Sequence, residues 1–177
     1  MNQSIIENKA RLWSSDLHAK TNHLYNGDPY IVHLAMVVDV AYKYLYLVEA
    51  KDHDIVLAAC WAHDTIEDCR VTYNDVKESL GEEIAEIVYA LTNEKGKNRK
   101  ERANGKYYAG IAASPLATFV KVCDRIANFE YSIANGTRMA EMYAKENREF
   151  VGRLLMFHFT EMFAHLTKLE TQAKQLK

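Results

Sequence analysis

Residues 55–68 read IVLAACWAHDTIED, and their first part, Ile55 to Ala62, is the longest unbroken apolar run in the chain. A membrane-spanning helix needs about 20 such residues, so this run is too short to be a span. A segment apolar on every side is a buried helix, wrapped by other elements. Those elements can be read outward from it. Asp52 is predicted to cap a helix from His53 to Asp64. Upstream, Tyr30 to Val48 carries Ile31, Leu34, Ala35, Val38 and Ala41 on a 3.6-residue stripe. The turn formers NGDP (26–29) separate it from helical spacing over residues 3–20, at Ile6, Ala10, Trp13 and Leu17.

Downstream, Thr72 is predicted to cap a short helix through Leu80 that Gly81 closes, and Glu82–Leu91 shows one apolar face. Residues 93–106 read as a loop or a frayed helix start. Ser114-Pro115 is a strong start signal for a helix to about Ala134, which Asn135-Gly136 ends. A last long helix is expected from about Arg148 to Lys174. Its apolar residues (Phe157, Phe159, Met162, Phe163, Leu166, Leu169) suit internal packing or a homo-oligomer. The expectation is one all-α domain over 1–177, a compact bundle of seven or eight helices with its motif-bearing core at about 10–150.

Composition agrees. Of the 177 residues 49% are hydrophobic and 26% charged, which excludes intrinsic disorder. Two prolines and seven glycines leave little turn chemistry for a many-stranded fold. A net charge of −2 gives no global pull toward nucleic acid or an anionic membrane. Cys60, Cys69 and Cys123 form no CxxC pair and read as reduced thiols. The start, MNQSIIENKARLW, lacks the pattern of a secretion signal, so a cytoplasmic location is expected.

The informative residues are polar groups set in apolar helices. His63-Asp64 ends the buried run, Asp124 sits inside LATFVKVCDRIANF (116–129), and His33 lies inside YIVHLAMVV (30–38). An unpaired carboxylate in a core costs several kcal/mol, so it must be neutralised, paired or bound to a cation. One divalent cation shared by His33, His63, Asp64 and Asp124 resolves all three anomalies. This N/O donor set suits manganese, iron, cobalt or zinc and leaves positions open for water and substrate. The alternative is a satisfied core histidine plus an Asp124–Arg125 ion pair. Glu67 and Asp68 follow His63 and Asp64 by four residues, on the same helical face, where a carboxylate can orient a water or take its proton. Asn128 lies one turn beyond Asp124. Residues 93–106 hold six basic side chains against two acids, a set able to clamp phosphate or simply to be solvated. Tyr107, Tyr108 and Tyr143 can stack on a base or pack.

The order His33, His63-Asp64, Asp124 resembles the H…HD…D signature of the HD-domain metal phosphohydrolases, which are all-helical. PYIVH (29–33), AHDTIED (62–68) and VKVCDRIANF (120–129) look like the hydrolase domain of RelA/SpoT proteins. They look most like the stand-alone small alarmone hydrolases, the metazoan SpoT homologues among them. The resemblance covers about residues 10–150. It implies one metal, usually manganese, on His33, His63, Asp64 and Asp124, with Glu67 and Asp68 setting up the attacking water. It further implies that Asn128 meets the nucleotide sugar region, that Arg102 and Lys97 of NRKERA (98–103) and its surroundings meet phosphate, and that Tyr143 lines the nucleotide pocket. The implied reaction is removal of the 3′-pyrophosphate from guanosine tetra- or pentaphosphate.

One departure stands out. Many relatives carry an Arg-Lys pair before the turn preceding PYI. Here Leu24 and Tyr25 occupy that place, with Lys20 and His23 nearby as candidate substrate contacts. Another nucleotide phosphate (a nucleoside monophosphate, a dNTP or NADPH) is the enzymatic alternative. A nucleotide-sensing or partner-binding module is the non-enzymatic one. Service as an antitoxin to a toxic synthetase is compatible with the same chemistry.

Overall fold

The computed structural model describes residues 3–176, so the outermost ends of the expected 1–177 domain lie outside the described residues. In chain order the elements are α1 (Ile5–Lys20), strands β1 (Leu24–Tyr25) and β2 (Asp28–Pro29), α2 (Ile31–Tyr44), α3 (His53–Ala62), α4 (Thr65–Asp68), α5 (Tyr73–Leu80) and α6 (Glu82–Leu91). Then come α7 (Arg99–Arg102), α8 (Gly105–Ala112), α9 (Pro115–Ala134), α10 (Met139–Leu154) and α11 (Thr160–Gln175). The all-α expectation holds. The only strands among the described residues form a two-residue hairpin with Leu24 opposite Pro29 and Tyr25 opposite Asp28. Asn26 (φ 51°) and Gly27 (φ 97°) close it, the left-handed pair that an Asn-Gly hairpin turn requires.

Among the described residues eleven α-helical segments replace the seven or eight expected. Two of the additions, α4 and α7, are four-residue turns too short to show a period. Another, α8, follows the stretch read as a loop or a frayed helix start, and the last is α10, whose buried residues Ala140, Tyr143, Ala144, Asn147, Phe150 and Leu154 make a stripe diluted by small and polar side chains. The long helix expected from 148 to 174 is broken. Leu155 turns out of the helix (ψ 118°), and a 3-10 turn over Phe157–Phe159 leads into α11. Neither proline nor glycine marks this corner. It folds α11 back onto α10 and α9, so that Met162, Phe163, Leu166 and Leu169 are buried in the chain's own core while Phe157 is 91% exposed.

The caps largely follow the sequence. Ser114 Oγ accepts from Ala117 N at 3.2 Å with Pro115 at the first helical position, and Thr72 and Asp75 form a capping box. Asp52 is an exception: it ends a 3-10 turn over Ala50–Asp52 and its side chain caps nothing.

Helix α3 is the buried helix expected, with Val56 through Ala62 all buried. It packs on α1, α2, α6 and α9. Helix α9 is the second axis of the core, packing on α2, α3, α6, α8, α10 and α11 through Phe119, Val122, Ile126 and Phe129. Since α2, α3 and α9 touch one another, a polar residue facing inward from each meets the others. No helix among the described residues is long and apolar enough to cross a membrane.

Candidate metal centre

His33 sits in the first turn of α2, directly after the hairpin. His63 and Asp64 form the two-residue joint between α3 and α4, and Asp124 lies midway along α9. Their donor atoms converge. His33 Nε2 is 3.4 Å from His63 Nε2, 3.7 Å from Asp64 Oδ2 and 3.4 Å from Asp124 Oδ1. His63 Nε2 is 2.9 Å from Asp64 Oδ2 and 3.9 Å from Asp124 Oδ1. Ligand atoms held about 2.1 Å from one ion stand roughly 3.0 Å apart at right angles and roughly 4.2 Å apart across it. All five distances fall in that interval or at its edge. His33, His63 and Asp64 make the tightest group, one ligand atom from each lying within 4.8 Å of the others.

Electrostatics fit a cation site. His63 Nδ1 lies 2.8 Å from the Cys60 carbonyl, to which the Nδ1–H donates, leaving Nε2 for a metal. Burial alone would lower the His63 pKa, but Asp64, Asp124 and the Cys60 carbonyl outweigh it and raise it to about 9. Burial works against ionised Asp64, yet His63 holds that carboxyl well below the usual range. Asp124 is also held low against burial, by Lys121 first and then His33 and His63. The Asp124–Arg125 pair does not form. Arg125 Nη1 instead meets Glu146 Oε2 at 3.1 Å, and its guanidinium lies over the rings of Tyr143 (4.8 Å) and Phe150 (4.5 Å).

Asp64, Asp124, Glu67 and Asp68 line one cleft together with Arg99, Arg102, Lys121, Asn128 and Tyr143. Glu67 is fixed by Asn93, whose Nδ2 donates to Oε1 at 2.6 Å. Burial, then the charges of Asp64 and Glu67, push the Asp68 carboxyl up to about 7. Asn128 is bound at both ends: its Nδ2 donates to Asp124 Oδ1, and its Oδ1 accepts from Tyr25 Oη at 2.9 Å. Three candidates lie outside the lining. Lys20 is exposed and paired with Asp16, and Lys97 is exposed. His23 stacks on Tyr30 (3.8 Å between centroids) with Nδ1 3.7 Å from Asp68 Oδ2.

Tyr30, Lys121 and Asn93 join the site without being among the residues nominated by the sequence, and Arg99 enters it from the basic stretch 93–106. Tyr30 donates its hydroxyl proton to Asp64 Oδ2. Lys121 Nζ is 2.9 Å from Asp124 Oδ2. Arg99 makes a two-pronged pair with Glu146, at 2.9 and 3.2 Å. Tyr30 and Lys121 each stand three residues before a ligand, the spacing that places them on its helical face. Nothing in the sequence points to Asn93.

Fold and site define an all-helical domain with a His–His–Asp group able to hold a metal. No protein-family model matches the chain. Among curated proteins it is similar to a guanosine-3′,5′-bis(diphosphate) 3′-pyrophosphohydrolase of Aquifex aeolicus, 33% identical over 131 residues, covering 72% of this chain and 18% of that protein. It is also similar to the hydrolases of that name called MESH1, from Danio rerio (30% identical, 58% of this chain, 54% of that one) and Mus musculus (32%, 58% and 55%). The chain thus spans about a fifth of the Aquifex protein and about half of the MESH1 proteins. A solved structure of a metazoan SpoT orthologue, described as hydrolysing ppGpp, shares the fold with a TM-score of 0.77 and 18% identity over 97% of both chains. The resemblance to RelA/SpoT-type hydrolase domains and small alarmone hydrolases is therefore borne out.

Proposed function

We propose that the chain is a metal-dependent hydrolase that removes the 3′-pyrophosphate from guanosine tetra- or pentaphosphate. The observation that carries this reading is that Glu67 and Asp68 line the same cleft as the ligating carboxylates and a set of cationic side chains. His33, His63, Asp64 and Asp124 are the proposed ligands, and manganese the proposed ion. A divalent ion there would acidify water and neutralise phosphate charge.

The chain's own groups supply the rest. Glu67, held by Asn93, orients the attacking water and accepts its proton. Asp68, poised near neutrality, can give a proton to the departing 3′ oxygen. Arg99, Arg102 and Lys121 meet phosphate oxygens, Arg102 being exposed at the cleft. Tyr143 lines the nucleotide's place, and Asn128 serves chiefly to hold Asp124. Lys20 and Lys97 have no part in the proposed contacts. The buried residues from Ala10 to Ala173 form one cluster, which supports a single hydrolase unit. Three free, buried cysteines suit a reducing compartment, and the cytoplasm is the proposed place of action.

One observation favours a second reading, in which the base is not guanine. At the hairpin position where relatives carry a cationic pair, the Tyr25 ring lies on His33 and its hydroxyl is bound to Asn128, so no cation is offered to a base. The test is a panel with Mn²⁺: guanosine tetraphosphate, its adenosine counterpart, dNTPs, nucleoside monophosphates and NADPH, with products identified by mass. GDP and pyrophosphate from the first substrate support the reading. Turnover of the others alone rejects it.

Proton competition gives a further expectation. With the His63 pKa raised to about 9, the metal-free protein at neutral pH holds an imidazolium that a metal must displace. Mn²⁺ affinity should rise about tenfold from pH 7 to 8 and level off above 9. In the metal-free protein the sign reverses. The stabilisation from this raised pKa is complete below about 6.5 and is lost as pH climbs through 9. Calorimetric titration in buffers of different ionisation heat counts the released proton, and a pH-independent affinity would remove His63 from the ligand set.

A further inference from the structure

The two ligand histidines are held differently. His63 is pinned through its second ring nitrogen by the Cys60 carbonyl. His33 Nδ1 is buried and has no hydrogen-bond partner among the described residues. A ligating imidazole normally gains its orientation from that second nitrogen. What lies against His33 instead is the Tyr25 ring, 4.9 Å between centroids and 17° from parallel. Tyr25 is itself wedged edge-on by Tyr131 at 4.9 Å.

The Tyr25 hydroxyl reaches a second ligand. It donates to Asn128 Oδ1, while Asn128 Nδ2 donates to Asp124 Oδ1, the oxygen facing His33. The Asp124 carboxylate already selects which end of the amide faces it. The hydroxyl adds an anchor for the other end, the amide oxygen. The short Asn26-Gly27 turn of the hairpin sets where Tyr25 stands.

We propose that Tyr25 is a positioning residue of the metal centre, fixing the His33 ring by stacking and the Asp124 carboxylate through Asn128. The proposal rests on the metal-centre reading above, and its readout is metal binding, not turnover. Tyr25→Phe keeps the stack and frees Asn128; Tyr25→Leu removes both. Mn²⁺ affinity, measured by calorimetry at fixed pH, should fall about tenfold in the first and further in the second, within the 10- to 100-fold range of such supporting contacts. The visible spectrum of Co²⁺-saturated protein should change in both. Tyr25→Phe combined with Asn128→Ala should bind Mn²⁺ no more weakly than Asn128→Ala alone, because the two groups act in one chain. Wild-type affinity and spectrum in both Tyr25 variants would overturn the proposal, as would additive losses. So would a lowered melting temperature of metal-free Tyr25→Leu with an unaltered Co²⁺ spectrum. A wild-type protein that binds no Mn²⁺ would instead bring down the metal-centre reading, and this inference with it.

Discussion

Asp124→Ala is expected to strip the metal and lower hydrolysis of guanosine tetraphosphate by about 10³-fold or more, since without a divalent ion water keeps a pKa near 15.7. Asp124 also organises its neighbours: Oδ1 takes the Asn128 amide and Oδ2 lies 2.9 Å from Lys121 Nζ. Truncation would leave the Lys121 ammonium, 19% exposed, without its carboxylate. Breaking a buried pair in this way costs about 3–5 kcal/mol, so stability should fall as well. Asp124→Asn separates the two effects. It keeps the volume and an oxygen for Lys121, so it should melt closer to the wild type while still losing metal and turnover. Metal content by atomic absorption, read beside the melting curve, decides the matter. A metal-loaded, active Asp124→Asn protein would take Asp124 out of the ligand set.

Glu67→Gln should behave in the opposite way. Glu67 is held by Asn93 and is not one of the four proposed ligands, so Mn²⁺ affinity should stay as in the wild type. The amide still offers an oxygen to Asn93 Nδ2, which preserves the side chain's place. What disappears is the ability to accept a proton, worth about 10²- to 10⁴-fold in rate. The loss should fall on kcat and leave KM nearly unchanged, the signature of an interaction made only in the transition state. A variant with full kcat would move the role to Asp68, whose carboxyl is pushed up to about 7 by its surroundings.

Burial alone would not have found this centre. Glu7 is as buried as His33, at 1%, yet its carboxylate is satisfied by Tyr42, Trp61 and Gln3 and lies in no donor cluster. Convergence is what separates the two cases. It was legible because His33, His63-Asp64 and Asp124 interrupt three strongly apolar helices that had to share one core. Helix starts with a chemical signature, at Ser114-Pro115 and Thr72, were also legible. The corner at Leu155 was not, because a helix that turns back under packing forces alone leaves no proline or glycine behind. The cationic side chains can be read as a group but not individually: Arg102 and Arg99 reach the cleft, Arg99 while paired with Glu146, and Lys97 does not. Which way a solvated side chain turns depends on partners distant in the chain, and spacing carries no record of them.

The hydrogen bond from His63 to the Cys60 carbonyl spans the last turn of α3, so the helix's register and the imidazole's aim are one and the same quantity. One residue inserted between Cys60 and His63 would swing that ring by about 100° around the helix axis and point it away from His33. The corner at 155–159, remote from the ligands in sequence and lacking regular α-helix, has no such constraint. Length variation among natural or engineered versions of this chain should therefore collect at that corner and be absent from the end of α3.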